Sequence, residues 1–298
     1  MAQWNDPEVA GLQQMFAATV PVPGAPAPTW PERRLGINAM GAAMPVPEGV
    51  TVETIVLGGV SAEKITPAGG ADRTIFYLHG GGYCVGGAES HRVMAARMAL
   101  GAGAEAYVLD YRLAPEHPYP AAVDDATAAW RELSAARDPA RTVIAGDSAG
   151  GGLTVATAVA ARDAGLALPA ALHMISPWVN LTNTGTAYQA KGATDFIITQ
   201  AGIDDFKVNY LGATAPTTPG ASPLFADLAG LPPMLIQVGS EEVLLSDSTQ
   251  LAERAGFALV DVTLRIWPNM VHIWPFFPLT AGGRAIEESS AWIKARVA

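Results

Sequence analysis

Gly146-Asp147-Ser148-Ala149-Gly150 is the stretch that most restricts what this chain can fold into. Before it lies the apolar run Thr142-Val143-Ile144-Ala145. After it come Gly151 to Ala161, small and apolar enough for a buried helix. The context is strand, sharp turn, helix. A serine at such a turn is strained, and a Cβ two positions either side would crowd the neighbouring strand and helix, which glycine avoids. The hydroxyl is then presented at the C-terminal end of a sheet, above a helix N-terminus whose dipole favours developing negative charge. With 31 glycines in 298 residues the pentapeptide also arises by chance. Serine there has a plainer use as a helix N-cap, so the rest of the chain must decide.

From Val50 onward the pattern alternates. Thr51–Leu57 and Val60–Ile65, joined around Gly58-Gly59, read as a hairpin. Strands are expected at Thr74–Leu78, Ala104–Leu109, Arg141–Ala145, Ala170–Ile175, Met234–Val238 and Val262–Ile266. Helices are expected at His91–Leu100, Ala121–Ala136, Ser148–Ala164, Ser246–Ala255 and Ala281–Val297. Near-continuous apolar strands separated by helices indicate an α/β fold, a mostly parallel sheet covered on both faces. Between Pro177 and Pro233 the alternation lapses. Asp195–Leu211 has helical spacing, and the excursion reads as an insertion. Residues 1–45 differ again: a short amphipathic helix at Val9–Val20, a run of prolines, and a second helix at Glu32–Met40.

Composition narrows the function. Half the residues are hydrophobic and 15% are charged, as in a globular enzyme. The net charge is −10 without a Lys/Arg cluster, which argues against nucleic acid as a partner. Cys84 is the only cysteine, so no intrachain disulfide forms, and it reads as a small buried hydrophobe. No basic-then-apolar leader and no run of 18 apolar residues is present, so the expectation is a cytoplasmic protein without stable membrane association. No His/Cys/Asp cluster has ligand spacing, so no metal is expected.

A serine hydroxyl needs a base and an oxyanion site to act as a nucleophile. Of five histidines, His272 follows the last strand, at the edge where loops after parallel strands converge. The orienting carboxylate should come from the loop after Met234–Val238, where Glu241, Glu242 and Asp247 compete. Upstream, Leu78-His79-Gly80-Gly81-Gly82-Tyr83 follows a strand. Consecutive glycines let backbone N–H groups turn towards one point, and with the N–H of Ala149 they can form an oxyanion hole. A phosphate loop is excluded because neither Gly-Lys-Ser/Thr nor G-x-G-x-x-G is present.

His-Gly-Gly-Gly, about seventy residues before Gly-Asp-Ser-Ala-Gly-Gly, together with Asp110-Tyr111-Arg112-Leu113-Ala114-Pro115-Glu116-His117-Pro118 and Asn269-Met270-Val271-His272, resembles the hormone-sensitive-lipase-like esterases, bacterial family IV of the α/β-hydrolases. The resemblance covers about residues 50–298. It implies an α/β-hydrolase fold with an eight-stranded sheet. It also implies a catalytic domain over 46–298 and a helical cap built from residues 1–45 and an insertion at about 180–222. It implies cofactor-free hydrolysis of short-chain carboxylic esters, with Ser148 as nucleophile, His272 as base, and Gly81, Gly82 and Ala149 donating to the oxyanion. The family's acid stands in Asp-Pro-Leu about thirty residues before the histidine. Glu242-Val243-Leu244 occupies that place here, with Glu for Asp and Val for Pro, which selects Glu242. By the same resemblance His79 holds the glycine loop, and Asp110, Arg112 and Glu116 hydrogen-bond backbone near the active edge. Asp147 reads as a loop brace. Trp178, Phe196, Ile197, Trp274 and Phe276 are pocket candidates that also suit the core.

The reaction expected is acyl transfer through an acyl-enzyme, on a small-molecule ester. A lactonase or deacetylase would use the same machinery. A binding protein on an inactive hydrolase scaffold is the further alternative, disfavoured because no member of the machinery is missing. The family often forms dimers, which leaves a homodimer open.

Overall fold

The computed structural model describes residues 6–18 and 27–297. Pro21, Pro23 and Pro26 of the proline run, the end of the helix expected at Val9–Val20, and residues 1–5 of the N-terminal stretch read for a leader lie outside the described residues.

Eight strands form one sheet: β1 (Val50–Leu57), β2 (Val60–Pro67), β3 (Arg73–Leu78), β4 (Ala104–Leu109), β5 (Thr142–Asp147), β6 (Ala171–Ile175), β7 (Met234–Gly239) and β8 (Val262–Trp267). Their order is β1-β2-β4-β3-β5-β6-β7-β8. β1 and β2 pair antiparallel, β2 meets β4 antiparallel, and every pairing from β4 to β8 is parallel. The parallel strands therefore end at one edge, and the loops that follow them converge there.

Alternation along the buried strands sorts side chains into two cores. Phe76 and Leu78 of β3 join a core with Ile144, Trp130 and Leu153. Ile75 and Tyr77 join the opposite one with Val143, Met94 and Ile293. The first core is covered by α4 (Ala121–Ala136), α5 (Ala149–Asp163) and α8 (Leu245–Phe257). The second is covered by α3 (Ala88–Ala102) and α9 (Thr280–Arg296). Phe76 stacks on Trp130 at a centroid distance of 6.3 Å, and the Trp130 indole N–H donates to the Ala167 carbonyl.

The N-terminal helices are α1 (Pro7–Ala18) and α2 (Trp30–Ala42). α1 buries Val9 and Leu12 in the second core, and Glu8 accepts from the backbone and side chain of Thr280 at the start of α9. α2 packs on α3 so closely that a Cβ on Gly41 would lie 2.2 Å from the Ser90 carbonyl oxygen.

Between β6 and β7 lie α6 (Thr186–Lys191) and α7 (Gln200–Leu211). Helical spacing from Asp195 predicted a longer α7. The helix starts five residues later because Asp195 turns its carboxylate onto the N–H groups of Ile197 and Ile198, and Thr199 then caps Gly202. Among the described residues, no helix is long and apolar enough to cross a membrane.

The β5–α5 crossing sets a close contact. A Cβ on Gly150 would lie 2.0 Å from the Leu78 carbonyl oxygen and 2.5 Å from that of His79. Gly150→Ala is therefore expected to lower stability by about 3 kcal/mol, the upper range for overpacking. Gly36, exposed in α2, meets nothing within 4 Å. There Gly36→Ala should instead raise stability by about 0.5–1 kcal/mol. Urea titration of the two variants checks the opposite signs.

Candidate active site

Ser148 sits between β5 and α5 with φ 51° and ψ −122°, a left-handed φ that costs a non-glycine residue of order 1–3 kcal/mol. The turn is held by its backbone. Ser148 N–H donates to Ile175 at 2.9 Å, and its carbonyl accepts from Trp178 and Gly152. The side chain makes no cap to α5, so the helix-cap alternative does not describe it. The Ser148 hydroxyl instead lies 3.0 Å from Nε2 of His272.

His272 follows β8. Its Nδ1 stands 2.7 Å from Oε2 of Glu242, in the loop after β7. A carboxylate only accepts, so Nδ1 carries the proton and Nε2 is left to accept from the serine. Ser148, His272 and Glu242 are 9%, 3% and 0% exposed, so water competes little for these bonds. The other Glu242 oxygen accepts from the Ser176 hydroxyl and the Gly239 N–H, each at 2.7 Å.

The two competing carboxylates are engaged elsewhere. Glu241 binds Lys191 Nζ at 2.8 Å and the Ser240 hydroxyl. Asp247 lies in the first turn of α8 but reaches back, and its Oδ2 accepts the N–H groups of Val179 and Asn180. Burial pushes the Asp247 carboxyl up to about 8, against the pull of those two N–H groups.

Gly81 and Gly82 line a cavity of about 200 Å³ together with Ser148 and His272. Among the described residues, no group accepts from the N–H of Gly81, Gly82 or Ala149. Three donors beside the serine are unspent, whereas buried N–H groups in proteins are generally paired. Gly81 and Gly82 have φ of 114° and 60°, and a Cβ on Gly82 would strike the Phe206 ring.

Around the glycine loop, Asp147 accepts from Tyr77 and from the Gly80 N–H, and its second oxygen lies 3.4 Å from His91 Nε2. Burial alone would raise this carboxyl, but His91 and Tyr77 hold it below its ordinary value. His79 stacks on Tyr111 at 4.1 Å and donates from Nδ1 to Gly80. Burial, aided by His91, lowers its pKa to about 3, so it stays neutral. Asp110 accepts the Ala88 N–H, as expected of a backbone partner. Arg112 donates to the Ala121 carbonyl at 3.5 Å, as expected, and also forks onto Asp125. Glu116 departs from that expectation and pairs with Arg34 of α2. Arg34 reaches backbone as well, donating to the carbonyls of Cys84 and Ala114 at 2.8 Å each.

Ser176, Asp195, His91 and Arg34 were not singled out by sequence reasoning. Ser176 also accepts the Ile273 N–H, and Asp195 accepts the Val243 N–H beside Glu242. Of the aromatic and apolar pocket candidates, Trp178, Ile197 and Phe276 line the cavity; Phe196 and Trp274 are not among its lining residues. Ile37, Ile203 and Phe206 join it from α2 and α7. Among the described residues, no cluster of His, Cys, Asp and Glu is arranged to hold a metal ion.

A family model described as alpha/beta hydrolase fold matches residues 75–276, over half of the chain. The chain belongs to the α/β-hydrolase family. Within that family it is 44% identical over 252 residues to an acetyl-hydrolase of Streptomyces hygroscopicus, covering 84% of this chain and 83% of that one. A crystal structure of an esterase from the bacterial hormone-sensitive lipase family aligns over 100% of both chains with a TM-score of 0.94 and 39% identity. A crystal structure of EstE5 soaked with p-nitrophenyl butyrate aligns over 98% of this chain and 99% of that one, with a TM-score of 0.92 and 38% identity.

Asp247 gives this hydrolase a testable pH signature. Its carboxyl binds a proton in the folded state up to about pH 8, while an unfolded aspartate releases it near pH 4. The folded state therefore holds more protons between these values, and stability falls as pH rises through the window. Asp247→Asn should remove that slope. Chemical denaturation at pH 5 and pH 8 is expected to show the variant gaining on the wild type at the higher pH.

Proposed function

We propose that the chain is a serine carboxylesterase acting on short-chain acyl esters through an acyl-enzyme. The observation that carries this reading is the unbroken hydrogen-bond line from Ser148 Oγ through both nitrogens of His272 to Glu242, with three unspent N–H groups at its serine end. The names of the relatives, acetyl-hydrolase and esterase, support the same class of bond.

In this mechanism Ser148 Oγ attacks the ester carbonyl and its proton passes to His272 Nε2. The imidazolium is stabilised by Glu242, which keeps Nδ1–H pointed away from the serine. The carbonyl oxygen takes the negative charge and accepts from the N–H groups of Gly81, Gly82 and Ala149, aided by the N-terminus of α5. The C–O bond to the alcohol breaks, and Nε2 returns its proton to the leaving alkoxide. Water then loses a proton to Nε2 as it attacks the acyl-enzyme; the bond from the acyl carbon to Ser148 Oγ breaks, and Nε2 returns that proton to Oγ as the acid leaves.

A small apolar cavity supports short acyl groups. Residues 1–45 and about 180–222 act as the cap. Supporting this, Arg33 of α2 pairs with Asp205 of α7 at 2.7 Å, and Trp30 packs on Phe206 at 5.5 Å.

Ser148→Ala is expected to lower kcat for p-nitrophenyl butyrate by roughly 10⁴–10⁶. Glu242→Gln should lose about 10⁴, because an amide can select the wrong histidine tautomer. Glu241→Gln and Asp247→Asn should retain most of their turnover. Steady-state kinetics on the four purified variants reads the order, and a crippled Glu241→Gln beside an active Glu242→Gln would refute the assignment of the acid.

A further inference from the structure

Next to the catalytic cavity lies a second apolar space, lined in part by the exposed Gly11, Met15, Ala43 and Pro278 and so open to solvent on one side. Its volume is about 410 Å³, roughly twice the 200 Å³ around Ser148. It is lined by Leu12 and Met15 of α1, by Met40 of α2, by Met44 just beyond that helix, and by Phe276 and Phe277. Among the described residues, one belongs to both spaces, Phe276. Its ring is 2% exposed and sits against His91 at 5.2 Å and Phe277 at 5.4 Å, so the packing holds it in place.

The two spaces also share a roof. Ile37 of α2 lines the catalytic cavity, while Met40, one turn along, and Met44, just past the helix end, line the second space. A chain extended under α2 from Ser148 thus meets the Phe276 ring before it meets the methionines. The chamber asks for nothing polar. Among the described residues its one charged lining residue, Glu8, already accepts from Thr280 with both carboxylate oxygens. Methionines are flexible and polarizable, and adapt to an aliphatic chain of varying course.

Building on the esterase reading above, we propose that Phe276 is the partition that fixes the longest aliphatic chain this enzyme accepts, and that the methionine-lined chamber behind it houses the distal methylenes once the ring is trimmed. The ligand class is the aliphatic chain of an ester, on its acyl or its alkyl side. Phe276 is a specificity-determining residue here, with no part in the bond-making steps.

The test measures kcat/KM along two series, p-nitrophenyl esters from acetate to palmitate and acetate esters of alkanols from ethanol to dodecanol. The proteins are the wild type, Phe276→Ala, Phe276→Leu, and Phe276→Ala combined with Met40→Trp. In one series, Phe276→Ala should raise the ratio of decyl to butyl chain turnover by roughly tenfold or more, since two newly buried methylenes suffice for that factor. The responding series identifies which end of the ester enters. Phe276→Leu should shift the same ratio in the same direction by less, and it carries the test if the alanine variant fails to fold. Met40→Trp refills the chamber and should reverse the gain. An unmoved chain-length profile in both series overturns the proposal, as does a gain that survives Met40→Trp. A wild type inactive on every member of both series would instead refute the esterase reading itself.

Discussion

One fully buried carboxylate holds the active edge together. Glu242 accepts from His272 after β8, from Ser176 after β6, and from Gly239 at the end of its own strand β7. Three loops that are distant in sequence meet at two oxygen atoms. A charge in that position is costly unless it is hydrogen-bonded, so each of these bonds does more than a surface contact would. Removing one partner leaves part of the charge unsatisfied and loosens the other loops. Ser176 extends the tie by accepting the Ile273 N–H, which fixes the chain just beyond His272. Asp195 extends it from the other side by holding the Val243 N–H.

The sheet makes this meeting possible. Parallel pairing from β4 to β8 puts the ends of β3, β5, β6, β7 and β8 on one edge. The chain then places glycines where backbone must approach backbone. At Gly150 the helix comes so near the β3 carbonyls that no Cβ fits. That contact lets α5 begin immediately after a strained serine. The strain is stabilised by the surrounding hydrogen bonds of Ser148 to Ile175, Trp178 and Gly152.

Much of this was legible in the sequence, for identifiable reasons. The strands β3 and β5 to β7 are short apolar runs with no exposed face, and all but the first residue of β3 are buried. The serine, the glycine loop and His272 carry local motifs, because their geometry is local: a turn, a run of N–H groups, a loop after a strand. The choice of Glu242 needed resemblance, since three carboxylates share one loop and only tertiary contacts separate them. Ser176 and Arg34 left no local signal, nor did the contact of Asp195 with Val243. Their partners lie dozens of residues away, at Glu242, Val243, Cys84 and Ala114. The start of α7 was misplaced because Asp195 prefers a turn stabilised by its own carboxylate to the helix its neighbours permit. The roof was opaque for a similar reason. Trp30, Arg33 and Ile37 look like an ordinary amphipathic stretch until α7 is laid against them.

The central claim is that Ser148 forms the covalent intermediate with its hydroxyl activated by His272. The most direct measurement is intact-protein and peptide mass spectrometry after reaction with a p-nitrophenyl alkylphosphonate. Such a reagent phosphonylates the attacking oxygen and releases p-nitrophenol. One equivalent of p-nitrophenol should appear per chain, with the added mass on the peptide containing Ser148. Ser148→Ala should remain unlabelled. A phosphonyl group on any other residue of the wild type, or full catalytic activity in a wild type labelled at Ser148, would contradict the account.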